Sequence, residues 1–423
     1  MASQAANQNV TNRWVIAAAG IVMQIALGAV YAWSVFRVPL AEAYGSGTSV
    51  SAVNLTFSIA ILSLGFAAFF GGLWMGKSGP RIVALTSGVL YGLGIFLASF
   101  AGPSLVILYL TYGLMAGIGI GLGYIVPLAT LIKWFPDKRG FITGLAVAGF
   151  GAGAVLTAPI AKQLVLGIGV FPTFAILGVI YLVMVVGASF FMKNPPEGWS
   201  PEGYEPEATG SGDGANADFE LGGALKSWQW YVLWAMLFLN VSAGIAIIVE
   251  ADPIAQEIGG LSAAAAATLV ILISIGNGAG RFLWAWLSDA IGRKWVFFVM
   301  YLLQAVLFLL LPILGASSFF VLAALCIVIV SCYGGGFGTM PAFNADYFGP
   351  TNVGKIYGLM ITAWGFGGVL GPILISYIID STGSYTIAFY IIAGMLLVSS
   401  ILPILIRPPK RTDEAPAAEG ARA

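Results

Sequence analysis

The chain has 423 residues, 59% of them hydrophobic and 9% charged, with a mean hydropathy of +0.94. A soluble domain is about one quarter charged, so this composition excludes a water-soluble enzyme and points to a polytopic protein embedded in a lipid bilayer. Lysine plus arginine and aspartate plus glutamate number 18 each, which leaves no basic stripe for nucleic acid, and histidine is absent. No metal or cofactor is expected from a chain without the commonest metal ligand, and the usual proton carrier near neutral pH is missing too.

The opening residues, MASQAANQNVTNRW, are polar and lack the basic-then-apolar order of a cleaved signal, so the first apolar stretch reads as a retained span. Twelve stretches are long enough to cross a bilayer: 14–38, 51–75, 82–101, 104–132, 141–165, 170–192, 228–251, 262–288, 295–314, 318–345, 355–379 and 385–406. The gaps are short except for NPPEGWSPEGYEPEATGSGDGANADFE, a Pro-, Gly- and acid-rich run that reads as a flexible linker. The spacing predicts an all-α membrane protein with six helices in 1–192, a linker at 193–227, six helices in 228–406 and a tail at 407–423.

Charge position orients the chain. Arg13, Lys77, Arg81, Lys133, Lys138, Arg139, Lys193, Lys226, Arg293, Lys294, Lys355, Arg407, Lys410, Arg411 and Arg422 fall on one side, and only Arg37 and Lys162 on the other. The positive-inside rule then places both termini and the linker in the cytoplasm, with the protein in the cytoplasmic membrane.

The two halves read as copies. Pro39 and Pro253 are 214 residues apart, as are Pro127 and Pro341, and GLAVAGFGAG from Gly144 returns as GLMITAWGFG from Gly358 at the same offset. Shared prolines and glycines at constant spacing argue for duplication, and parallel six-helix repeats put a substrate site between the halves. Gly117, Gly119, Gly121 and Gly123 lack nucleotide-loop spacing and read as close helix packing; Cys326 and Cys332 read as buried thiols.

Arg281 is the costliest residue in the chain. It lies inside the apolar run Ala263–Leu287, which contains no acid, where a cation costs about 2.5–3.5 kcal/mol. Its planar guanidinium can donate two parallel hydrogen bonds to one carboxylate, and one buried cation neutralises one carboxylate, which points to monocarboxylates. The competing reading has Arg281 reaching the basic face or pairing with Asp289, about 12 Å along the helix. Asn277 shares its face, either on the substrate or in an interhelical hydrogen bond, and Gly276, Gly278 and Gly280 keep that segment slim. Tyr31, Tyr124 and Tyr333 are candidate hydroxyl donors, and Leu27, Leu145 and Phe337 candidate apolar walls. Glu250, Asp252 and Glu257 are candidates for proton coupling, against the simpler reading of a solvated acidic rim. Asp346 reads as part of a gate network with Asp289 and Arg293.

The loops Gly72-Leu-Trp-Met-Gly-Lys-Ser-Gly-Pro-Arg81 and Ala285-Trp-Leu-Ser-Asp-Ala-Ile-Gly-Arg-Lys294 resemble the loop motif G-x-x-x-D-[RK]-x-G-[RK]-[RK] of the major facilitator superfamily. The second keeps the acid as Asp289; the first has Gly76 there. Ala29-Val-Tyr-Ala-Trp-Ser-Val, Lys133-Trp-Phe-Pro-Asp-Lys-Arg-Gly140 and Asn277-Gly-Ala-Gly-Arg281 resemble monocarboxylate transporters and the related oxalate:formate antiporter. The resemblance covers essentially the whole chain. It implies a twelve-helix secondary transporter in two six-helix bundles, working as a monomer, with Arg281 binding the substrate carboxylate. Asn277 stands where animal members have an aspartate linked to proton coupling, and Trp364 where the oxalate antiporter has a second cation, a lysine. The expected activity is therefore transport of small, lactate- or pyruvate-like monocarboxylates with a proton; anion exchange is the alternative.

Overall fold

The computed structural model describes residues 11–45, 47–102, 104–201, 203–204 and 218–409. In lipid a backbone must satisfy its own hydrogen bonds, and each apolar stretch does so by forming a helix. The spans are α1 (Arg13–Trp33), α2 (Val50–Ser78), α3 (Pro80–Ala98), α4 (Leu105–Trp134), α5 (Arg139–Ile168), α6 (Val170–Ser189), α7 (Trp228–Val249), α8 (Ala263–Ile291), α9 (Arg293–Leu314), α10 (Phe319–Phe348), α11 (Val353–Met360 and Thr362–Thr382) and α12 (Tyr385–Leu405). No strand occurs among the described residues.

Local chemistry sets the ends. Where α1 begins and α2 ends, hereafter the basic end, single glycines reverse the chain: Gly79 between α2 and α3 (φ 78°) and Gly292 between α8 and α9 (φ 90°) occupy a region that side chains disfavour. At the opposite end, Ser49, Ser104, Ser262, Ser318 and Ser384 each accept a backbone N–H of the first turn of an even-numbered helix, α2, α4, α8, α10 or α12.

Glycine contacts bring helices together where the hydrophobic effect cannot, because lipid is as apolar as leucine. In the first half α1 crosses α5 at Gly28 and Gly153, and α4 lays Gly117, Gly119, Gly121 and Gly123 against α2 and α3. In the second half Gly280 of α8 meets Ser331 of α10, and Gly338 of α10 meets the carbonyl of Arg281.

The halves meet along two seams. On one, Gly140 and Gly144 of α5 pack on α8. On the other, Gly72 of α2 packs on Gly354 of α11, and Gly358 packs on Ala68 and Phe69. That second seam is tight at the basic end and diverges toward the other. There α2 and α11 bound an apolar cleft of about 540 Å³ lined by Leu62, Phe66, Phe366 and Val369.

A methyl added at Gly28 would collide with the backbone carbonyl of Phe150, whereas Gly65 has open space around it. Gly28→Ala is therefore expected to destabilise the detergent-solubilised protein by about 1–3 kcal/mol and Gly65→Ala to leave it unchanged, as read by thermal unfolding.

Candidate functional site

Arg281 projects from α8 toward the seam with α5 and is 1% exposed. Its Nε donates to the Asn277 Oδ1 one turn earlier, at 3.2 Å. Asn277 thus orients the guanidinium, and no carboxylate pairs with Arg281 among the described residues. Asp289, the alternative partner, is engaged elsewhere: it takes Arg293 at 2.6 Å and the backbone N–H groups of Gly140 and Phe141 at 2.8 and 2.7 Å.

Aromatic rings from both halves enclose the cation. Its Cζ lies 5.2 Å from the ring centre of Phe337, 5.8 Å from that of Tyr31 and 5.9 Å from that of Phe150. Trp364 of α11 joins the group, with ring centres 5.2 Å from Phe337, 6.3 Å from Tyr31 and 6.4 Å from Tyr124. Ring faces stabilise a desolvated cation in part, but they accept no strong hydrogen bond. The Nη2 of Arg281 and the hydroxyls of Tyr31, Tyr124 and Tyr357 are buried without a hydrogen-bond partner. A guanidinium nitrogen can only donate, and a tyrosine hydroxyl donates readily. The site is therefore rich in donors and poor in acceptors, which is the polarity an anion requires.

Two polar clips hold the tyrosine-bearing helices. Gln24 of α1 donates to the carbonyl of Tyr124 at 3.2 Å, and Asn240 of α7 donates to that of Tyr333 at 3.2 Å. Sequence reading passed over both clips, and over Phe150 and Tyr357 as well. The repeat carried the signal for Phe150, because at an offset of 214 it aligns with Trp364, the other large ring at the site.

The remaining candidates separate. Tyr333 is buried beside Phe337, with ring centres 5.2 Å apart. Leu27 is fully buried and packs toward Gly123 of α4, inside the first half. Leu145 is half-buried on α5. Glu250 accepts from the Tyr385 hydroxyl at 3.0 Å, and Glu257 is exposed. Both follow α7 at the end opposite the basic loops, and Arg281 lies roughly 27 Å beyond the first residue of α8. The side chain of Asp252 is outside the described residues. Arg81 donates to the carbonyl of Phe190 and lies over its ring, a contact within the first half. Cys326 and Cys332 are free and buried.

At the basic end Asp346 of α10 is held by Arg139 of α5 at 2.8 Å and by Arg293 of α9 at 3.0 Å. With Asp289 on the first turn of α5, this network ties the halves directly below Arg281. Two six-helix bundles tied at one end, parted between α2 and α11 toward the other, and sharing a buried cation make up a membrane carrier. The chain belongs to the major facilitator superfamily, whose family model matches residues 16–256 and 231–423. It is 28% identical over 410 residues to the oxalate:formate antiporter of Oxalobacter formigenes, covering 95% of this chain and 94% of that one. It is 28% identical over 395 residues to monocarboxylate transporter 13 of Rattus norvegicus, covering 89% and 84%. Among solved structures, it shares the fold of the superfamily transporter FucP in its outward conformation, with a TM-score of 0.68 at 16% identity over 91% of this chain and 97% of that one.

Asp346→Asn removes the carboxylate that joins Arg139 and Arg293, each a charge-assisted contact worth about 1 kcal/mol at this exposure. Hydrogen–deuterium exchange over residues 139–143 is expected to speed up several-fold, with the core of α7 unaffected.

Proposed function

We propose that the protein is a secondary transporter of small monocarboxylates, lactate- or pyruvate-like, moved together with a proton. The observation that carries this reading is the buried, acid-free guanidinium of Arg281, with Nη2 and the hydroxyls of Tyr31 and Tyr124 still unpartnered. One carboxylate would take two parallel bonds from such a group and cancel its charge, whereas a dianion would leave a charge uncompensated in low dielectric. Trp364 supplies an apolar face where a second cation would serve a dicarboxylate. By the positive-inside rule the basic end, tied by the Asp289 and Asp346 network, faces the cytoplasm; Arg281 is enclosed here, and parting of the halves at the opposite end would open the site to the outside. Binding neutralises Arg281, lowers the cost of enclosing it, and lets the halves rock to the opposite opening.

A second reading is favoured by one observation. The polar neighbours of Arg281 are Asn277 and tyrosines, none of which titrates near neutral pH. A carrier whose buried cation is always charged returns more cheaply loaded than empty, and that is the behaviour of an exchanger. The relative from Oxalobacter formigenes bears an antiporter's name.

Uptake into proteoliposomes tests both. The first reading expects lactate or pyruvate uptake to rise with an inward pH gradient; counterflow without a pH effect would establish the second. Arg281→Lys keeps the charge and loses the planar fork, and uptake is expected to fall roughly 10- to 100-fold, about 1.5–3 kcal/mol. Equal uptake would remove the carboxylate anchor from the argument.

Trp364→Lys would put a second cation against the ring cluster. Its preference for monocarboxylates over oxalate is expected to drop by about 10-fold, on the order of the attraction between unit charges near 4 Å once desolvation is offset. Competition for uptake is the measurement.

A further inference from the structure

The two seams that close the basic end are built from the same repeat but carry different acids. On the α5–α8 seam, Asp289 accepts from the first-turn N–H groups of Gly140 and Phe141, and Arg139, Arg293 and Asp346 complete the network. At the repeat offset of 214, Gly140 and Phe141 correspond to Gly354 and Lys355 at the start of α11. The helix facing them is α2, and the loop-motif position there is Gly76, which has no side chain to offer. The stem of Lys355 lies against it instead: a Cβ at Gly76 would stand 2.5 Å from Lys355 Cε and 3.4 Å from its Nζ.

This leaves a basic, acid-free pocket in the helices themselves. A cavity of about 140 Å³ is lined by Lys133 of α4, Lys355 and Asn352 of the second half, and Asn194 and Gly76 of the first. Two cations from opposite halves face one space, and like charges there would push the seam apart.

The carboxylates come from the segment that leads into α7. Glu220 accepts from Lys355 Nζ at 3.4 Å and from Asn352 Nδ2 at 3.3 Å. Asp218 accepts from the backbone N–H and hydroxyl of Thr351 at 3.0 and 2.6 Å. Phe219 between them bonds its N–H to the carbonyl of Phe348 at 2.9 Å and packs on the Phe348 ring. Asp218 rests against Gly349, whose φ of 84° and lack of a Cβ make the seat: any side chain there would strike the Asp218 carboxylate. The segment is therefore docked by its backbone, by a ring and by both acids. The α5–α8 seam thus holds Arg139 and Arg293 with Asp289 and Asp346, which bond across it; at the α2–α11 seam Glu220 pairs with Lys355, the cation whose stem lies on Gly76 and which faces Lys133 across the cavity, and Asp218 fixes the same segment on Thr351.

We propose that Asp218 and Glu220 are the gate acids of the α2–α11 seam, supplied in trans by the segment joining the halves in place of the acid that α2 lacks at Gly76. The arrangement makes closure of the basic end depend on docking of that segment. It also makes the two seams separable by mutation, because their carboxylates lie on different parts of the chain.

The test reads the gate itself and needs no substrate. Nitroxide labels at Lys138→Cys in the first half and Tyr231→Cys on the first turn of α7 in the second report the width of the basic end by pulsed electron–electron distance measurement in nanodiscs. Both positions are exposed, whereas Cys326 and Cys332 are buried. Asp218→Asn with Glu220→Gln is expected to raise the long-distance population about 5-fold. Adding Gly76→Asp puts a carboxylate on the Lys355 amine from the helix side and is expected to return the distribution most of the way. Asp137→Asn, which breaks the Arg13–Asp137 pair inside the first half, is expected to leave it unchanged. An unaltered distribution in the double variant overturns the proposal. So does a widened one that Gly76→Asp fails to narrow, since the acids would then only anchor the segment.

Discussion

A guanidinium without a carboxylate, buried between two helix bundles, is the constraint around which the rest is arranged. Arg281 is 1% exposed and its Nη2 has no acceptor. A free-standing cation at that depth would cost several kcal/mol, and the fold reduces the cost in three ways. Asn277 takes one donor. The rings of Phe337, Tyr31 and Phe150 turn toward the charge. The glycines of α8 and α10, with Gly151 on α5, let three backbones approach the side chain closely enough to exclude lipid. None of these supplies a negative charge. On the proposed reading, that residual cost is what a bound anion would relieve.

Duplication explains how the site came to lie at the interface. Repeats related by an offset of 214 place Phe150 and Trp364 at matching points on α5 and α11, one in each half, and both turn their rings to the Arg281 cluster. The clips from Gln24 to Tyr124 and from Asn240 to Tyr333 show the same plan in α1–α4 and α7–α10. Symmetry fails where charge is concerned. Arg281 has no cation opposite it in the first half, and Asp289 has no acid opposite it in α2, where Gly76 stands. On the proposed reading, a symmetric scaffold with a single charged anchor would hold its ligand in one orientation, which symmetric placement of two cations would not enforce.

Much of this was legible from residue order. The spans follow from apolar runs, and the cost of Arg281 follows from its neighbours in sequence. The absence of an acid in that run left pairing with Asp289, about 12 Å along the helix, as the competing reading, and it took the structure to show Asp289 engaged by Arg293 and the first turn of α5. Burial and ring geometry were not legible. Phe150 looked like one aromatic among many, because an apolar helix gives no periodic signal distinguishing a ring that faces an interface from one that faces lipid. Leu27, read as a wall of the site, packs on Gly123 inside the first half, since one turn of α1 decides which way it points. Arg81 belongs to a loop motif whose second copy joins the halves, yet its own contact is to Phe190 within one half. The acid missing at Gly76 was visible, but its replacement came from a segment that composition marks only as flexible.

The relation between anchor and gate follows from their positions on common helices. Arg281 and Asp289 lie on α8, roughly 12 Å apart along one rigid element. Asp289 holds the first turn of α5 while Phe150 of the same α5 lies over the guanidinium. Any rotation of α8 against α5 that relieves or tightens the contacts around Arg281 must therefore move Asp289 relative to the N–H groups it accepts from. On the proposed reading, a bidentate ligand on Arg281 would compete with Asn277 and the rings for the orientation of the guanidinium, and a change there would be carried down α8 to the carboxylate at the basic end. The coupling needs no relay of side chains through the bilayer, because a helix of 29 residues that bears both groups is itself the connection.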